Sequence, residues 1–347
     1  MIGRSNRNIM AALVASFLWA CAYIGPTAVK PASELLLVAG RYSLFILCGL
    51  YVVWVSWQNV KQMPIRRILF GLHLGVVGYF LFYICIAYSV TAGSGFITAL
   101  IVGSSPITIA IFGNIAEKRV LWRQLAPSII CTLAGIILLG AEELFRGGTS
   151  DAVEDSLLAI GLSLLASILW AYFVVFNAQS QRTWVDKPDP RIWSALIAIG
   201  AGIGSIVLLP FAIATTPPET FSPQPLVTLI GWCVFLGVLS SWYGTFIWVR
   251  AARGIPAPLA GPLLATEAIF GAVLSLFWEQ RMPTVEEAGG CLCIIAGVAL
   301  YMIFDARNAQ AREWSTLASQ ADDTGARKVE PIPATRVWLG RAGRMRK

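Results

Sequence analysis

Apolar residues run along this chain in stretches of about twenty, broken by short polar segments that carry most of the charge. A helix rises about 1.5 Å per residue, so a run of that length crosses the roughly 30 Å of bilayer hydrocarbon. Such runs lie near residues 9–28, 34–56, 68–88, 93–116 and 124–141, and again near 156–178, 193–215, 228–250, 257–278 and 286–304. The pattern predicts an all-alpha polytopic membrane protein of ten transmembrane helices. An even number of crossings returns the chain to the side on which it began.

Composition agrees: charged residues are 13% of the chain, against about 25% in a soluble domain, which is too little polar surface for a soluble globule of this length. No convincing cleavage site follows Arg4 and Arg7, so the first run is expected to stay as a helix. Cys21, Cys48, Cys85, Cys131, Cys233, Cys291 and Cys293 all fall inside apolar runs and form no CxxC, so neither disulfides nor a metal site is expected. With His73 as the single histidine, most histidine-based catalysis lacks its base. No glycine-rich phosphate loop precedes a helix, and the spans hold no clustered carboxylates. The sequence therefore points away from an enzyme, a cofactor and an ATP-driven pump.

Charge alternates from one connection to the next. One set holds Lys61, Arg66 and Arg67, then Lys118, Arg119 and Arg123, then Arg182, Lys187 and Arg191, then Arg250 and Arg253. The connection at 142–155 holds Glu142, Glu143, Asp151, Glu154 and Asp155 against Arg146 alone. Basic connections stay in the cytoplasm, which places both termini there. Residues 305–347 are basic, lack apolar periodicity and are expected to form a solvated, disordered tail that can touch anionic lipid. The net charge of +7 is then a matter of topology and calls for no nucleic acid.

The chain repeats itself. Ala15 to Ala20 reads ASFLWA, and 151 residues later Ala166 to Ala171 reads ASILWA. At an offset of 162, Leu74–Leu138 aligns without a gap on Leu236–Leu300. Gly75 meets Gly237, Glu117 and Arg119 meet Glu279 and Arg281, and Gly135 meets Gly297. The halves, 9–141 and 156–304, are flanked by a short N-terminus (1–8), the acidic connection and the tail. Five helices per half is an odd number, so the second half enters the membrane in the opposite sense. Inverted repeats suit alternating access, because exchanging the conformations of two similar halves moves the opening from one side to the other.

Several stretches carry a family resemblance: FLWACAYIGPTAVK at Phe17–Lys30, LLVAGRYSLF at Leu36–Phe45 and SSPITIAIFGNIAEKRV at Ser104–Val120, followed by LAGIILL. The second half adds TEAIFGAVLSLFWEQRM and IAGVALY. In these the chain resembles the drug/metabolite transporter superfamily, in particular its EamA-type ten-helix members. Ala268 stands where such proteins often have proline, and Ala126-Pro127 where they often have glycine. The resemblance implies a secondary transporter in the bacterial inner membrane. It points to export of small amino acids or related amphipathic metabolites, coupled to a proton or a counter-solute, by a monomer or weak homo-oligomer. Uptake or exchange of another polar metabolite, such as a nucleoside-like compound, is the alternative, with a non-transporting scaffold behind it; solute flux in vesicles separates the last.

Two intramembrane charges carry the candidate chemistry. Glu267 lies about ten residues into the ninth span, where a carboxylate must be paired, solvated or protonated. It is either a cavity-facing acid that binds an amine or couples protons, or an architectural group. Arg41, a little over two turns into the second span, either snorkels to an interface or meets a carboxylate. Facing one cavity, the two would fit the ends of a zwitterion.

Trp19, Tyr23, Tyr83, Trp170, Trp242 and Tyr243 lie within spans and are candidates for lining a pathway built mainly by the third, fourth, eighth and ninth helices. Trp57, Trp122, Trp184, Trp193 and Trp278 lie near span ends, where an interfacial belt accounts for them. Glu117 and Glu279 end their helices on opposite faces and read as gating or structural groups, as do Pro106, Gly135 and Gly297. The topology has a direct check: reporter fusions and cysteine labelling should place Arg66 and Arg327 inside and Asp151 outside. An external tail would overturn the orientation and the even count.

Overall fold

The structure is a computed structural model, and it describes residues 2–117, 122–139, 150–184, 188–252, 255 and 257–323. Among these there is no strand. Ten apolar helices follow one another: α1 (Ile2–Ala20), α2 (Glu34–Val55), α3 (Ile65–Ala92), α4 (Gly95–Ile115), α5 (Trp122–Leu139), α6 (Ser150–Thr183), α7 (Pro190–Ala214), α8 (Pro223–Ala251), α9 (Ala257–Trp278) and α10 (Val285–Asp323). Seven contain a window long and apolar enough to cross a membrane, and Leu125–Leu139 and Leu263–Trp278 are shorter apolar helices. Met1–Tyr301 form one compact unit, and Met302–Lys347 form a second, whose described part is the end of α10.

Two boundaries differ from the sequence expectation. α6 begins at Ser150, so Asp151, Glu154 and Asp155 are its first turns rather than loop; acids at a helix N-terminus are favoured by the backbone dipole. α10 continues to Asp323, so residues 305–323 are helical where disorder was expected. That stretch is rich in Ala, carries Gln and Arg, and is free of Gly and Pro, which return only from Gly325 onward. The remainder of the tail and most of the acidic connection lie outside the described residues.

Lipid gives helices no hydrophobic reason to associate, so close packing through small residues has to hold them. A Cβ at Gly135 would lie 2.7 Å from the Gly290 carbonyl oxygen, and one at Gly297 would lie 2.9 Å from that of Ser128. The repeat exchanges these two contacts, since Gly135 matches Gly297 and Ser128 matches Gly290. A Cβ at Gly75 on α3 would collide with the Ile197 carbonyl of α7, and one at Gly237 on α8 would collide with the Arg41 carbonyl of α2. Beside each of these crossings the backbone widens into a π turn, Val76–Leu81 and Phe235–Tyr243, at matching places in the two halves.

Two interruptions matter for the site. α1 stops at Ala20 and passes through a buried 3-10 turn, Cys21–Tyr23, into Gly25-Pro26. Irregular backbone at membrane depth is tolerated where protein surrounds it. α4 is broken at Ser104 because Pro106 has no N–H for the Val102 carbonyl. Ser104 Oγ donates to the Ile101 carbonyl at 2.7 Å, and Ser167 Oγ donates to the same oxygen at 3.3 Å.

Substituting Gly75 by alanine should lower the melting temperature or the folded yield in detergent, because the crossing backbone leaves no room. The overpacking cost is about 1–3 kcal/mol. Gly231→Ala, where nothing lies within 4 Å of the added carbon, should be neutral or better. Equal behaviour of the two would remove the close crossing as a source of stability.

Candidate functional site

Ser33 caps α2, its Oγ accepting from the Leu36 N–H at 3.2 Å, and two turns on the helix delivers Arg41 into the bundle. Arg41 is 6% exposed, so its head does not snorkel. Its Nε donates to Ser241 Oγ at 3.0 Å, and that hydroxyl donates to the Leu236 carbonyl at 2.8 Å within the π turn of α8. The guanidinium carbon lies 4.0 Å from the centre of the Tyr83 ring and 5.2 Å from that of Tyr42. Tyr83 in turn donates its hydroxyl to the Ala22 carbonyl at 3.2 Å, satisfying backbone released where α1 breaks. Arg41 Nη1 is buried and has no partner.

Glu267 sits deep within the helices yet keeps accessible surface. Arg41 is within electrostatic reach of Glu267, and Tyr23 of both. Among the described residues Glu267 has no hydrogen-bond or ion-pair partner. Tyr23 is 2% exposed at the end of the 3-10 turn, and the missing side chain of Gly271 makes room for its ring at 2.7 Å. The bundle thus places an arginine and a glutamate near one another, neither fully hydrogen-bonded among the described residues.

The aromatic candidates divide. Trp19 packs against Trp248 at 5.7 Å, and its indole nitrogen would lie 3.0 Å from a Cβ at Gly244. Trp242 meets Phe45 at 6.1 Å, and Phe45 stacks on Tyr79 at 5.7 Å. Trp170 packs among Tyr79, Phe82 and Phe173, with no contact to either charge. Tyr243 belongs elsewhere: it is 48% exposed and stacks on Phe246, itself 55% exposed. On the same π turn Trp242 turns toward Phe45 while Tyr243, the next residue, is exposed.

Tyr79, Tyr42 and Ser241 join the site although none of them stands out in the sequence. Tyr42 donates its hydroxyl to the Tyr79 carbonyl at 2.8 Å, and Tyr79 faces Thr245 and Arg41. Their signal was position: Tyr79 and Ser241 are repeat equivalents on the two π turns. Pro106 breaks α4, Gly135 and Gly297 make the α5–α10 crossing, and Glu279 pairs with Arg281 at 2.7 Å. The side chain of Glu117 lies outside the described residues. Two clefts of about 460 and 440 Å³ open at Arg7, Asn8 and Arg250 and at Trp57 and Lys61, and neither includes Glu267 or Arg41. Among the described residues no group of three or more His, Cys, Asp or Glu could hold a metal ion.

The profile of the EamA-like transporter family matches residues 6–141 and 157–303, one match for each half. The chain is similar to the inner membrane protein YtfF of Escherichia coli (strain K12), with 27% identity over 303 residues, 84% of this chain and 94% of that one. It is also similar to the uncharacterized transporter YetK of Bacillus subtilis (strain 168), at 20% identity over 65% of each. A solved crystal structure shares the fold with a TM-score of 0.56 and 14% identity, covering 87% of this chain and 98% of its own.

Charge compensation between Arg41 and Glu267 is measurable without a solute. Removing either alone leaves the other uncompensated in a poorly solvated interior. Thermal melts in detergent of Arg41→Gln, Glu267→Gln and the double variant should show the double less destabilised than the summed singles, by about 1 kcal/mol or more. Additive effects would mean that the two charges do not sense each other.

Proposed function

The chain belongs to the EamA-like transporter family, and we propose that it exports small amino acids or related amphipathic metabolites across the bacterial inner membrane by alternating access. One observation carries this reading: Arg41 with a free Nη1 and Glu267 with an unpaired carboxylate, within electrostatic reach in one bundle. A solute carboxylate takes the free guanidinium edge, which can bind it with charge-assisted hydrogen bonds. The solute ammonium takes Glu267, with Tyr23 beside it. Trp19, Trp248 and Trp242 supply flat apolar faces for the remainder of the molecule. Because the site supplies one charge of each sign, a zwitterion enters without adding net charge to the membrane interior.

The inverted halves account for movement. They cross closely at glycines, and such contacts slide or rock without unpairing backbone. Both termini lie in the cytoplasm on this reading, and a proton or counter-solute drives the cycle. A nucleoside-like solute is the second reading, favoured by the paired rings of Trp19 and Trp248.

Flux into and out of vesicles, normalised to inserted protein and taken over a pH series with a panel of amino acids, amines and nucleosides, tests the proposal. Wild type should favour solutes with both charged groups. Arg41→Gln should weaken apparent affinity for carboxylates by about ten- to a hundredfold, the worth of a charged hydrogen bond of about 1.5–3 kcal/mol. Glu267→Gln should do the same for amines and flatten the pH profile. Unchanged flux, selectivity and pH response in both variants would defeat the assignment, and best transport of uncharged ring solutes would favour the second reading.

A further inference from the structure

We propose that Glu279, Arg281 and Glu287, with Ser94 and Gly95, form an ionic latch that closes one mouth of the transport pathway. This rests on the alternating-access reading above. The loop after α9 folds Arg281 between two carboxylates. Its Nε donates to Glu279 Oε2 at 2.7 Å, Nη1 to Glu287 Oε2 at 2.6 Å and Nη2 to Glu287 Oε1 at 2.9 Å. The pair with Glu287 is bidentate, the strongest geometry open to two such groups. Glu287 is itself fixed, its Oε2 accepting from the Thr284 N–H at 2.9 Å and its own N–H reaching Thr284 Oγ1 at 3.2 Å.

The cluster then reaches across to the other half of the repeat. Glu279 Oε1 accepts the Gly95 N–H at 3.2 Å, and Arg281 Nη2 approaches Ser94 Oγ at 3.5 Å. Ser94 and Gly95 start α4, so a carboxylate from the second repeat caps a helix of the first. Beneath the latch, α4 and α9 close on each other in register. A Cβ at Gly95 would collide with Ser275 Oγ, one at Gly271 would meet Ala99 at 2.9 Å, and one at Gly103 would collide with Ala268. Phe96, Leu100, Ile101, Ala272 and Ile294 pack into a core along this seam. The seam runs from the latch to the residue after Glu267. Solute cannot pass between the Glu267 site and this mouth while latch and seam are shut.

The opposite mouth cannot copy the device. Glu117 and Arg119 are the repeat counterparts of Glu279 and Arg281, but Glu287 is matched by Leu125, which is 2% exposed. The second carboxylate of the clamp therefore has no counterpart in the sequence of the first half, so the latch biases the protein toward the conformation closed at the α9–α10 loop. The charge rule puts that loop outside. An exporter at rest is then open to the compartment from which it loads.

The test needs no solute. In a protein whose seven native cysteines are replaced, Ala272→Cys places a reporter inside the seam, and a membrane-impermeant sulfonated maleimide is applied from the outer and from the inner face of oriented vesicles. Arg281→Gln and Glu287→Gln should each raise labelling from the outer face about tenfold or more, without a matching rise from the inner face, and Arg281→Lys should restore part of the protection. Outer-face labelling that stays at the parent rate in both variants overturns the latch. So does an equal rise from both faces, which marks general loosening of the bundle. Failure here leaves solute flux and its dependence on Glu267 untouched, whereas failure of the transport reading removes flux and leaves the labelling pattern to be read by itself.

Discussion

A guanidinium within a membrane bundle has to be solvated by protein, and much of the interior is arranged around meeting that need for Arg41. Gly237 lets α8 lie against the backbone of α2 at the residue itself, the π turn of α8 brings Ser241 to its Nε, and Tyr83 offers a ring face. Tyr83 is in turn tied to the broken end of α1 through the Ala22 carbonyl. One cation thereby couples α1, α2, α3 and α8, and each coupling uses a local departure from regular helix.

The two halves share a plan but differ where chemistry is placed. The α3–α7 crossing at Gly75 and Ile197 repeats the α8–α2 crossing at Gly237 and Arg41, with an apolar residue in place of the charge. Glu267 falls in α9 while its repeat counterpart in α4 is Ser105. The shared features, glycine crossings and π turns, concern how helices pass one another. The unshared features concern charge, and they lie on the second half or face it.

Much of the fold was legible because bilayer thickness forces a run length and duplication leaves its offset in the sequence. The break in α4 was legible too, since Pro106 removes a donor wherever it sits in a helix. Tyr243 was misplaced because a span rich in aromatic residues does not reveal which side faces lipid; a packed neighbour such as Phe45 has to be seen first. The extension of α10 was hidden because residues 305–323 lack the apolar periodicity of a packed helix and adjoin a tail that contains Gly and Pro, although the residues themselves favour helix. Arg281 and Glu287 are separated by a turn, and no helical spacing announces that a loop will fold them together. Ser241 had no signal of its own in the sequence, because its partner is 200 residues away.

The unpartnered Nη1 of Arg41 has a consequence for the order of difficulty in a working cycle. A buried donor that no protein group meets leaves the cation's solvation by protein incomplete, by an amount on the order of one charged hydrogen bond, about 1.5–3 kcal/mol. On the proposed assignment of Arg41 to a solute carboxylate, the arriving group supplies what the fold withholds, so the cargo acts as the missing part of the interior. Departure then recreates the shortage, which makes unloading rather than capture the uphill event, and gives water entering the emptied space a direct part in letting the cargo go.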